Sequence, residues 1–163
     1  MNKQTSVSSI LHKTAENWPE SNNGISPEIL RIHRIRDHLH NDLSQVLTKF
    51  KLQTAEFSVL ETLRKEAYPH CLTPTSLSST MLFSSGGLTK VLNRLANAGF
   101  ITRTDNFEDK RGKLVQLSKS GNDLITMVIV ELHSQEQKKM AVLSVTEKQL
   151  LNQLLHKVLE VWE

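Results

Sequence analysis

A single cysteine, Cys71, excludes an intrachain disulfide and fits a reducing compartment. No segment approaches the ~20 consecutive apolar residues of a bilayer span, and MNKQTSVSSILHKTAENW at the N-terminus has no apolar run long enough for a signal-peptide core. We therefore expect a cytoplasmic protein with no membrane partner. Repeats and low-complexity blocks are absent. Also absent are a nucleophile-base pair, a phosphate loop and a metal-ligand spacing, so we expect neither an enzyme nor a cofactor nor a metal. His33, His38 and His40 fall in one helical stretch, but only His33 and His40 share a face, with no HxxxH beside them. No cluster of charges flanks Cys71, which makes an inert thiol a simpler reading than a redox switch.

What is present is a chain of 163 residues, 38% hydrophobic, long enough for one cored domain or two small lobes. Its formal charge is +3, and the position of that surplus matters more than its size. Between Thr73 and Ser118, Lys90, Arg94, Arg103, Lys110, Arg111 and Lys113 face Asp105, Glu108 and Asp109, a surplus of three. The rest of the chain balances, so all the excess positive charge lies where lysine and arginine would displace counterions from phosphate.

That same stretch reads as helix, turn, helix and two-stranded wing. TPTSLSSTM has Thr73 as N-cap and Pro74 at N1, where a missing N–H costs nothing. After a turn at Leu82-Phe83, Ser84 starts a second helix in which Leu88, Val91, Leu92 and Leu95 form an apolar stripe, and Gly99 supplies a left-handed stop. The period then changes to two. Ile101 and Arg103 alternate with Thr102 and Thr104, a polar run leads to Lys113, and Val115 and Leu117 share a strand face. The outer face of the second helix carries Ser84, Ser85, Thr89, Lys90, Asn93 and Arg94, groups that read base edges and phosphates in a major groove. Polar residues on an amphipathic helix are usually only a solvated face. Here the order of elements, with a basic hairpin directly after the helix, favours DNA.

These residues resemble the MarR family of bacterial winged helix-turn-helix regulators. Asp109-Lys110-Arg111-Gly112-Lys113-Leu114-Val115-Gln116-Leu117-Ser118-Lys119-Ser120-Gly121 is similar to that family's D-x-R-x-x-x-V-x-L-T-x-x-G, with Ser118 for the usual Thr. FSSGGLTKVLNRLANAGFITR is similar to its S-x-x-x-T-x-x-x-x-x-L-x-x-x-G-x-[IV]-x-R, and with helical flanks the likeness covers about residues 26 to 163. The resemblance implies a fold that is mainly α with a small β-wing: a winged helix-turn-helix lobe plus a helical dimerisation lobe built from both chain ends. It implies DNA contact by Thr75, Ser84, Ser85, Gly86, Thr89, Lys90, Asn93 and Arg94, and by Asp109, Lys110, Arg111 and Lys113. Arg111 would reach the minor groove or its phosphates, braced by Asp109, or else form only an exposed hairpin salt bridge. Arg94 meets phosphate or closes a local ion pair rather than reading a base. Lys110 and Lys113 are expected as non-specific phosphate partners. Gly86 and Gly87 each cost helicity ~1 kcal/mol relative to Ala, which fits close approach of backbone to DNA or simple flexibility at a helix end.

The flanks extend the pattern. Residues 6 to 17 suit a short helix ended by Trp18-Pro19, with a polar loop from Glu20 to Gly24. Ser26-Pro27-Glu28 opens a long helix whose Ile29, Ile32, Leu39, Leu43 and Phe50 repeat over about six turns. Thr54 is read as the cap of a helix to Glu66, Ser118 as that of a helix to about Met140, and Thr146 with Gln149 as a capping box for the last. The apolar run Leu124–Leu132 and the leucines after Leu150 exceed what one chain can cover, which predicts a homodimer. Two recognition helices on a two-fold axis would read a palindrome in double-stranded DNA. We divide the chain into an N-terminal and long dimerisation helix (1–53), a winged DNA-binding domain (54–118) and C-terminal dimerisation helices (119–163).

Trp18-Pro19 and Ala55-Glu56-Phe57-Ser58-Val59-Leu60-Glu61-Thr62-Leu63-Arg64 look like the urate- and phenolic-ligand-responsive branch of the family. That implies a ligand-binding role for Trp18 and Ser58, although Trp18 equally suits a packing lid. Ser58 stands where the branch has an acid and Val91 where it has an arginine, so the charged partners of an anionic purine are missing. The expected function is a homodimeric repressor on palindromic operators, modulated by a small aromatic or phenolic ligand. The alternative is a winged-helix module that binds protein without specific DNA binding.

Overall fold

Local signals place most of the elements, and the computed structural model describes them over residues 5–81, 85–105 and 113–163. Ser6 caps α1 (Val7–Asn17), its Oγ accepting the Ser9 N–H at 3.1 Å. Pro19 then opens α2 (Pro19–Asn22), a single turn where a polar loop was expected. Proline pre-sets the helical φ, and the Asn22 N–H closes the turn on the Trp18 carbonyl at 3.1 Å. The long helix α3 (Pro27–Lys49) carries Glu28 in its first turn, where a carboxylate suits the dipole.

The contact pattern divides the chain between Gln45 and Val46, inside α3. In the first unit α1 and α2 pack together without fully burying a residue, and Arg34 Nη1 donates to the Thr5 carbonyl at 2.9 Å. Ile29, Ile32, Ile35 and Leu39 of α3 are exposed.

The second unit holds the core. It opens with Val46 and Leu47 at the end of α3, then α4 (Thr54–Lys65). The cap of α4 is Gln53 and not Thr54. Glu56 at N3 reaches back to accept the Gln53 N–H at 2.9 Å, whereas a helix capped at Thr54 would have Phe57 there and no acceptor. α4 then runs through the lobe in contact with α5 (Pro74–Met81), α6 (Ser85–Asn97), β3 (Lys113–Leu117) and α7 (Lys119–Met140). Its Val59, Leu60 and Leu63 are fully buried, each contributing about 1.5–3 kcal/mol.

The wing belongs to a three-stranded antiparallel sheet rather than a two-stranded one. β1 (Cys71–Leu72) pairs with β3, and β3 with β2 (Ile101–Asp105), in the order β1-β3-β2. Two residues are too short to show a period of two, so β1 left no pattern to read. Val115 and Leu117 turn inward, as their alternation predicts. The last helix, α8 (Val145–Leu159), is capped by Ser144 with Glu147 instead of Thr146 with Gln149. The two boxes overlap, and the carboxylate of Glu147 is the stronger acceptor for the orphan N–H groups.

Candidate nucleic-acid interface

The first of the paired helices, α5, starts where Thr73 Oγ1 accepts the Ser76 N–H at 3.1 Å, and fully buried Leu77 anchors it. In α6, Leu88, Val91, Leu92 and Leu95 are all buried. At about 100° per residue, burying that stripe turns Thr89, Lys90 and Asn93 outward, and all three are exposed. Thr75 and Thr89 meet across a shallow groove of about 230 Å³ between the helices, lined also by Pro74, Ser78, Leu88 and Leu92. Ser85 and Gly86 lie in the first turn of α6. Ser84, Asp109, Lys110 and Arg111, and the turn at Leu82-Phe83, lie outside the described residues.

At the far end of α6 the chain turns sharply into the sheet. Gly99 has φ +76°, where L side chains are strained, and its carbonyl accepts from Ser118 Oγ and Ser120 Oγ, each at 2.7 Å. Ser118 also caps α7, its Oγ accepting the Gly121 N–H at 3.0 Å. Gly121 sits so close to this corner that a Cβ there would lie 2.0 Å from the Phe100 carbonyl oxygen. The end of α6 and the start of α7 are thus one joint.

Lys113 and Asp105 are directly opposite on β3 and β2, and their side chains pair at 2.7 Å. The Lys113 ammonium, by its hydrogen bond and then by its charge, holds the Asp105 carboxyl below its ordinary value. Arg103 on β2 donates from Nη2 to Asn93 Oδ1 at 2.7 Å, a link from wing to α6. Arg94 has its guanidinium on α4: Nε donates to Glu56 Oε1 at 2.7 Å and Nη2 to Gln53 Oε1 at 2.8 Å. Arg94 thus closes the local ion pair, one of the two roles expected of it, with its side chain still 44% exposed. The bonds of Arg94 to Glu56 and Gln53, and of Arg103 to Asn93, were not legible in the sequence. The alternation at Arg103 was visible, but a partner 38 residues away from Glu56 leaves no local trace.

Trp18, in the first unit, is 63% exposed and belongs to no packed core. Ser58 is half-buried on α4 in the second unit. Also in that unit is a cleft of about 530 Å³ between α4 and α7, with Ile125, Ile129 and Val130 along one wall and Glu61, Arg64, Lys65 and His133 about it. Ser58 does not line it. Among the described residues no group of three or more His, Cys, Asp and Glu side chains gathers as a metal site, and no helix is long and apolar enough to cross a membrane.

With this geometry in place, a family model described as MarR family matches residues 52–113. The multiple antibiotic resistance protein MarR of Escherichia coli is 33% identical over 141 residues, covering 84% of this chain and 94% of that protein. The chain belongs to the MarR family. The HTH-type transcriptional regulator PecS of Dickeya dadantii is 33% identical over 116 residues, covering 71% of this chain and 70% of PecS. Apo MarR from Escherichia coli superposes with a TM-score of 0.69 at 32% identity, over 83% of this chain and 98% of that one. A mutant MarR from Escherichia coli complexed with operator DNA matches with a TM-score of 0.65 at 32% identity, over 84% and 96% of the two chains. PecS is thus named as a transcriptional regulator, and Escherichia coli MarR shares the winged-helix fold described above.

Proposed function

We propose that this MarR-family chain is a cytoplasmic homodimeric repressor that binds a palindromic operator and is released by a small aromatic or phenolic ligand. The observation that carries the reading is the exposed Thr89, Lys90 and Asn93 face of α6, held over a buried stripe and tied to the wing by the Arg103–Asn93 hydrogen bond. To that face the reading adds DNA contact by Thr75, Ser84, Ser85 and Gly86, and by Asp109, Lys110, Arg111 and Lys113, as the family motifs in the sequence imply. Binding of operator DNA by a relative 32% identical supports the same use of the fold. Exposed Leu150, Leu154, Val158 and Trp162 near the C-terminus, and Ile32 and Ile35 on α3, support the dimer, because apolar surface of this extent is stabilised by a partner.

The α4–α7 cleft supports the ligand, since its apolar wall suits an aromatic ring and Arg64, Lys65 and His133 suit an acidic or phenolic substituent. Release is then a population shift: ligand favours a spacing of the two recognition helices that no longer fits successive major grooves.

The test is binding of the full chain to the intergenic DNA beside its own gene, at two salt concentrations, for wild type, Lys90→Ala and Arg111→Ala. Selective binding that weakens with salt and with either substitution is expected, each lost phosphate contact lowering the salt slope by about 0.9. Equal, weak binding to any duplex would overturn the reading and favour a protein-interaction module.

A further inference from the structure

Resting on that reading of α6 as the DNA-facing helix, we infer that Glu56 is a positioning residue for operator recognition, acting through Arg94 to set the rotation of α6. The buried stripe of α6 fixes which face is inward, but apolar packing is non-directional and tolerates small rotations of the helix. A forked guanidinium does not. Arg94 donates to Glu56 at 2.7 Å and to Gln53 at 2.8 Å, two directional bonds from one side chain to the first turn of α4 and to its cap.

α4 is a suitable reference because it touches α5, α6, α7 and β3, and its apolar side chains form the centre of the lobe. Glu56 itself is nearly buried, its side chain 11% exposed, and its other oxygen is committed to the Gln53 N–H at 2.9 Å. A carboxylate held in that way has one orientation, and Arg94 must come to it. The neighbouring residue, Asn93, accepts from Arg103 at 2.7 Å and so ties α6 to the wing. Successive residues of α6 therefore fasten it to the body of the lobe and to the sheet, with Lys90 exposed one turn earlier.

Glu56→Gln separates these duties with little change of volume. An amide can accept from Arg94 or turn its oxygen to the Gln53 N–H, but its NH2 group then meets a donor on the other side. Fluorescence anisotropy with the operator duplex and a scrambled duplex of equal length, over a salt series, is compared for wild type, Glu56→Gln, Arg94→Ala and the double variant, with thermal midpoints alongside. We expect operator affinity to fall roughly tenfold in each single variant, the size of one charge-assisted hydrogen bond, with scrambled-duplex affinity and salt slope unchanged. The double variant should be no worse than Arg94→Ala.

Arg94→Lys keeps the charge but not the forked reach, and it decides the matter if Arg94→Ala does not fold. An unchanged operator-to-scrambled ratio with lowered midpoints overturns the inference and leaves a structural ion pair. Uniform weakening on both duplexes with a shallower salt slope in Arg94→Ala overturns it in favour of direct phosphate contact. Absence of any operator preference in the wild type removes the regulator reading and this inference with it.

Discussion

Gly121 shows how one absent methyl group can decide a joint. A Cβ there would lie 2.0 Å from the Phe100 carbonyl oxygen and 3.0 Å from Leu117 Cδ1, and the first of these is backbone that cannot rotate away. Gly121→Ala should therefore lower stability by at least about 1–3 kcal/mol, read as a drop in the urea midpoint at constant m. Gly99→Ala has open space but φ +76°, and its cost should stay near ~1–2 kcal/mol. Gly99 was legible in advance because a helix stop announces itself by position; Gly121 was visible only as part of a motif, since the carbonyl it accommodates belongs to a residue 21 positions earlier. The same asymmetry applies to Arg94, whose charge was evident and whose partner was not.

At the scale of elements, most of the architecture could be read from caps and stripes. Thr73, Pro74 and the Leu88–Leu95 stripe placed α5 and α6, and Ser118 placed α7. Where two caps competed, at Gln53 against Thr54 and Ser144 against Thr146, the residue with glutamate three places on was the one used. The cap of α8 has a pH dependence of definite sign. Glu147 accepts from the Ser144 hydroxyl at 2.7 Å and the Ser144 N–H at 2.8 Å, and these bonds, in that order, hold its carboxyl below the ordinary value. A carboxylate lowered in the folded state stabilises fully above the unfolded value of about 4.3, and the contribution is lost as pH falls through the folded one. Secondary 13Cα shifts in the first turn of α8 should be constant from about pH 7 to 5 and decay below about 4. Glu147→Gln should remove that titration while keeping the turn.

At the scale of the whole molecule, the exposed leucines of α8 are the feature a single chain leaves unexplained. Leu150 and Leu154 are each more than half exposed, Leu159 nearly so, and Val158 is 40% exposed. Under the proposed dimer, Leu154→Glu places a charge in the contact and should shift the species seen by analytical ultracentrifugation from dimer to monomer. Operator affinity should then fall by orders of magnitude, because one recognition helix reads only a few base pairs. A wild-type chain that sediments as a monomer at all concentrations would remove the proposal. The surface was legible in the sequence as an excess of apolar residues, whereas what the proposed partner would place against it is written in no single chain.

The joint at Gly99, Ser118 and Gly121 lies far along the chain from the leucines of α8, and that separation bears on heredity. If subunits pair through α8, an allele damaged at the joint still yields a subunit able to pair. It would capture wild-type subunits in mixed dimers and behave as dominant. An allele damaged at Leu154 yields a subunit that pairs with nothing, and its loss would be recessive.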